Sequence, residues 1–118
     1  MKLVEMMLNF KRINMNNDKF YKTKLIATCN HFKTTEAEVR AEYTARNPPS
    51  KAVRNARGCF CHLMNYSIGV PKSVAARFIS MSPQAAEHNT KFFLENNTKT
   101  VQDRILLKIM SARLVREN

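Results

Sequence analysis

The stretch PKSVAARFISMSPQAAEHN, residues 71–89, decides how this chain is read. Pro71 suits the first turn of a helix, Val74, Ala75 and Phe78 give that helix an apolar side, and Ser80, Met81 and Ser82 break it. Ser82 followed by Pro83 is then an N-cap and first-turn pair. The serine oxygen accepts a free backbone N–H, and proline has no N–H to leave unpaired. The pattern predicts a helix over 71–79, a three-residue break and a second helix from Pro83 to about Asn96. Two helices joined this way have the size of a helix-turn-helix, whose second helix enters the major groove of DNA by its N-terminal residues. They also have the size of an ordinary joint between core helices, and spacing alone does not choose.

Upstream, Pro48 and Pro49 in ARNPPS remove backbone donors and stop any helix, leaving Ser50 as the next cap. A helix from Lys51 to about Tyr66 follows, with Val53, Ala56, Phe60, Leu63 and Ser67 on one face and Lys51, Arg54, Asn55 and Arg57 largely off it. Thr35 and Glu38 form a T-x-x-E capping box for a short helix from Glu36 to about Thr44. Phe20, Leu25, Ile26, Cys29 and Phe32 mark a first core helix from about Asp18 to His31. The Asn-rich NMNND before it is expected to interrupt helix, which makes residues 1–17 a flexible or loosely docked leader to a domain over 18–118. Downstream, Thr100 is the expected cap of a last helix carrying Val101, Ile105, Ile109 and Ala112.

These pieces make an all-α fold: one compact domain of about six helices containing the helix-turn-helix. The length of 118 residues suits a single core, and 2 Gly with 4 Pro are too few for the many turns of a sandwich or barrel. No apolar run approaches the length of a membrane span, the start is a poor signal peptide, and three cysteines suggest free thiols in a reducing cytoplasm.

Charge narrows the partners. Twenty Lys and Arg against 9 Asp and Glu leave a net charge of +11, so the chain seeks polyanions. No acidic residue lies between Glu42 and Glu87, whereas Arg46, Lys51, Arg54, Arg57, Lys72 and Arg77 do. At the front of the second helix, Ser82, Gln84, Ala85 and His88 are the expected outward positions. Glutamine can pair with the N6 and N7 edge of adenine, serine with several bases or a phosphate, and a helix N-terminus attracts phosphate.

Other chemistry finds little footing. Cys59 and Cys61 in CFCH point about 200° apart on a helix, so with Cys29 and His31 upstream they do not assemble a metal site. The three histidines accompany no nucleophile signature, and no glycine-rich phosphate loop is present. Neither enzyme activity nor a cofactor, metal or small-molecule substrate is expected. RNA is disfavoured because the aromatic residues read as core and offer no stacking platform.

From about Lys24 to Leu114 the chain resembles the C-terminal DNA-binding domain of the bacterial replication initiator DnaA, in the Trp-repressor-like helical superfamily. The family's Ala-Arg and following apolar run read NARGCFCHLMNYS here, residues 55–67. Its short helix ending in Phe, its Gly-Gly turn and its Asp-His-Thr-Thr-Val signature with a later His read VAARFISMSPQAAEHN, residues 74–89. The lead segment reads HFKTTEAEVRAEY, residues 31–43. The resemblance implies a duplex-DNA binder with Arg57 reaching into the minor groove and the Pro83 helix in the major groove. Ser82, Pro83, Gln84 and Ala85 replace Asp-His-Thr-Thr, and Ile79 and Ser80 replace Gly-Gly, while His88 keeps its type. Phosphate contacts through Lys51, Arg54, Arg57, Lys72, Arg77 and Lys91 are expected to persist with a changed or relaxed target. An initiator's full activity, which needs an ATPase domain, is not expected of these residues. The role implied is that of an accessory or regulator in replication or transcription, of phage or mobile-element type. The alternative is a helical adaptor that has lost base reading and binds a replication or virion protein.

Overall fold

The computed structural model describes the backbone of residues 3–112 and the side chains of residues 18–112. Six α-helices follow one another: α1 Leu3–Phe32, α2 Glu36–Arg40, α3 Lys51–His62, α4 Lys72–Phe78, α5 Pro83–Asn96 and α6 Lys99–Met110. Helix α3 widens at its end into a π-helical turn over Leu63–Ser67.

The helix starts follow local chemistry. Thr35, Ser50 and Ser82 each accept the backbone N–H three residues on, at 3.1 to 3.2 Å. The box at Thr35 is half made, since the Glu38 carboxylate accepts from the Thr34 hydroxyl instead of turning back to the cap. Two sequence expectations shift. Helix α1 runs through NMNND from Leu3, because asparagine is only a weak helix breaker and no proline or glycine stops it. The expected loose docking of residues 1–17 concerns side chains outside the described residues. Helix α6 is capped by Thr98, not Thr100, with the Thr98 hydroxyl accepting from the Val101 N–H at 3.3 Å.

Helix stops are equally specific. Helices α1 and α4 both end with a non-glycine residue in the left-handed region, Lys33 at φ 59° and Ser80 at φ 61°. In each, the next N–H reaches back five residues, Thr34 to the Cys29 carbonyl and Met81 to the Ala76 carbonyl, both at 2.9 Å. This Schellman pattern satisfies carbonyls that a helix end otherwise leaves bare.

Helix α3 is the spine. Its Ala56 and Phe60 join Leu25 and Cys29 of α1, Val39 of α2, Ala75 and Ala76 of α4, and Ala86 of α5 in one buried cluster. Its Cys59, with Leu63 beyond, joins Phe93 of α5 and Ile105, Leu106 and Ile109 of α6 in another. Gly58 lets α5 lie against this spine: a Cβ there would stand 2.0 Å from the Asn89 carbonyl oxygen. The first and last helices are joined by Lys24, buried in α1, whose ammonium donates to the carbonyls of Ile109, Met110 and Ala112 at 3.3, 2.8 and 3.1 Å. A cation there opposes the negative end of the α6 dipole.

Candidate nucleic-acid interface

Helix α5 has a fixed side and an open side. Ala86 and Phe93 are buried, while Gln84, His88, Lys91 and Glu95 are exposed and fall within about 60° of one another at 100° per residue. Three of the expected contact residues, Gln84, His88 and Lys91, thus share one outward stripe. Ser82 is exposed, and its oxygen accepts the Ala85 N–H at 3.2 Å, leaving its hydroxyl hydrogen free to donate. Ala85 is half-buried beside the stripe.

Arg54 belongs to this surface. Its guanidinium carbon lies 3.8 Å from the ring centre of Phe92, so the side chain stacks on α5 from α3 and keeps its charge at the surface. Lys72, at the start of α4, stands with Gln84 in the wall of a common groove. Lys51 and Arg77 are exposed, and among the described residues no hydrogen bond, ion pair or ring contact ties them to the stripe.

Arg57 requires a correction. It was expected to reach outward to DNA, yet it is 8 % exposed, and its guanidinium donates to the carbonyls of Val39 at 2.8 Å and Ala41 at 2.7 Å. It therefore closes the end of α2, where those carbonyls have no helical partner. Burial lowers its pKa, opposed by Tyr43, whose ring lies 5.1 Å away. One turn of helix separates an arginine that holds the fold from one that faces solvent.

Two features escaped the sequence reading. Glu87 and Glu95 flank Lys91, so with His88 neutral the outward part of α5 carries a small net negative charge, and attraction for a polyanion falls to the flanks. Tyr66, read as core, is 67 % exposed. Its ring stacks on His62 with centroids 5.1 Å apart and planes 9° from parallel. Lys99 places its ammonium 5.4 Å from the same ring centre. Burial, then Lys99, lowers the His62 pKa, which favours the neutral imidazole at pH 7. The groove beside this pair measures about 520 Å³ and runs between the π-turn, Lys72 and the Pro83, Gln84, Glu87 and Leu94 side of α5. A signal for it was present: at 100° per residue Tyr66 falls about 100° from the centre of the face formed by Val53, Ala56, Phe60, Leu63 and Ser67.

Cys59 packs in one core cluster, and Cys29 and Cys61 in the other. Desolvation pushes Cys61 up to about 12 and Cys29 up to about 11, so both stay protonated at neutral pH. Among the described residues no group of three or more His, Cys, Asp or Glu side chains could hold a metal ion, and no helix is long and apolar enough to cross a membrane. No family model, curated protein or solved structure matches the chain.

Proposed function

We propose that the chain binds duplex DNA through α4 and α5 acting as a helix-turn-helix, as an accessory or regulator of replication or transcription. The observation that carries this reading is the open front of α5, with Gln84, His88 and Lys91 on one stripe and Arg54 beside it. The net charge of +11 supports it. So does Ser80, which takes a left-handed conformation where the DnaA-type domain has a glycine; the backbone need is kept though the residue has changed. Arg57 has no part in this version of the interface. The phosphate contacts fall to Arg54, Lys72 and Lys91, with Lys51 and Arg77 as outlying cations. Gln84 is the base-reading residue, and a phage or mobile-element setting suits the divergent signature.

A mobility-shift titration on a random duplex tests this directly. Removing Arg54 or Lys91 should weaken binding and lower the log–log salt slope by about 0.9 per lost phosphate contact. A double Arg54→Ala, Lys91→Ala variant that bound duplex as the parent does would overturn the proposal.

The adaptor reading draws on α6, where Leu107 is 70 % exposed and Met110 lies one turn on, also exposed. Such a pair suits a partner of the replication or virion machinery. Capture of a protein partner that survives nuclease treatment and is lost in Leu107→Glu would favour it over DNA binding.

A further inference from the structure

We infer that the groove beside Tyr66 is a binding site for one unpaired nucleobase and its phosphate, adjoining the duplex-reading stripe and sharing Gln84 and Lys72 with that interface. The site needs three kinds of group, and the groove has each. The first is a flat surface for the base. Tyr66 offers one, because its ring is held parallel to His62 and is 67 % exposed, where an aromatic side chain ordinarily buries most of its area. The second is cationic charge for the phosphate, from Lys72 in the groove wall and Lys99, whose ammonium stands over the ring at 5.4 Å from its centre and would swing aside for a stacked base. Lys99 is paired with Asp103 at 3.0 Å, but both side chains are exposed, and an ion pair of that kind contributes little. Lys99 is therefore free to turn to a phosphate. The third is a set of polar groups for a base edge: the Gln84 amide, the Thr90 hydroxyl and the Glu87 carboxylate line the same groove. A carboxylate can accept from an exocyclic amine, as acidic side chains do at cytosine.

Shape and rigidity agree with this use. A volume of about 520 Å³ lies within the range of small-molecule sites, roughly 300–1,000 Å³. The wall bearing Tyr66 is braced, since the Asn65 amide donates to the Val70 carbonyl at 3.0 Å and the Val70 N–H donates to the Met64 carbonyl at 2.9 Å. The π-turn that carries Tyr66 is a backbone form frequent at functional sites. The groove adjoins the Gln84 end of α5, so a duplex lying on that helix could place a frayed or single-stranded end in it.

The same chemistry is found in a free nucleotide and in a single-stranded tail, and the experiment separates them. Fluorescence anisotropy is measured for a blunt duplex, the same duplex with a four-nucleotide tail, and the tail strand alone; dAMP binding is followed by NMR shifts of the Tyr66 ring. The parent protein should bind the tailed duplex about 5- to 150-fold tighter than the blunt one, the range that stacking one base on an aromatic ring supplies. Tyr66→Ala should abolish that preference without changing blunt-duplex affinity, and Tyr66→Phe should retain it. The Tyr66 position is exposed, so both variants should keep the parent circular dichroism spectrum. If dAMP binds as tightly as the tail strand, the source is the free nucleotide; if the tail strand binds and dAMP does not, it is the strand. Equal affinity for blunt and tailed duplexes, with no binding of tail strand or dAMP, overturns the inference. Loss of blunt-duplex binding alone counts against the helix-turn-helix proposal and leaves this one standing, because the tail strand and dAMP report on the groove independently.

Discussion

The two ends of α5 are built to opposite standards. At the rear, Phe93 is fully buried, the Asn97 amide meets Asn55 of α3, and the Gln102 amide of α6 donates to the carbonyls of Leu94 and Asn97. At the front, Ser82, Pro83 and Gln84 are exposed and held mainly by the turn that leads into them. The difference shows how one helix can be both mount and probe. Rear contacts and the Gly58 crossing set its direction, which leaves Gln84 and His88 on the front turns free of structural duty, while Ser82 and Ala86 on the same turns cap the helix and join the core.

Substitutions at the two ends put this contrast to the test. The largest effect should come from Phe93→Ala, which empties a fully buried site and should cost about 3–5 kcal/mol in denaturant unfolding. A loss below 1 kcal/mol would mean that the rear of α5 is not the mount. Next is Arg57→Met, which strips the carbonyls of Val39 and Ala41 of their donor and should cost about 2 kcal/mol. Duplex affinity of the folded fraction should stay at the parent value; a selective fall in affinity at unchanged stability would return Arg57 to the DNA surface.

Ser80→Gly should act in the opposite direction. Relieving a side chain held at φ 61° should raise the unfolding midpoint, with a gain of about 0.5–1 kcal/mol. A destabilised Ser80→Gly protein would show that the serine side chain itself supports the turn. The smallest stability effect belongs to Gln84→Ala, expected within about 0.5 kcal/mol of the parent. Its consequence should appear as lost discrimination between duplex sequences in a binding selection, and an unchanged selection profile would remove Gln84 from base reading.

What the sequence made legible follows from how far apart the deciding atoms are. Ser50 and Ser82 were readable as caps because cap and partner lie three residues apart. The all-helical class was readable because so few glycines and prolines interrupt the apolar periodicity. Arg57 was misread because its partners are 16 and 18 residues away, on a short helix whose docking against α3 leaves no trace in local spacing. Thr98 and Thr100 are two residues apart and chemically alike, so only the Gln102 clamp on the preceding loop distinguishes the start of α6. Tyr66 was missed because an aromatic ring was taken for core, although regular helical spacing already places it off the face of Val53, Ala56, Phe60, Leu63 and Ser67.

Lys24 gives the molecule a built-in gauge. Its amine is shielded while α1 holds the end of α6, whereas Lys22 and Lys108 on the same two helices are exposed. An acylating reagent reaches Lys24 only when those helices part, so its labelling rate relative to its neighbours counts the openings of the helix pair that joins the first and last helices.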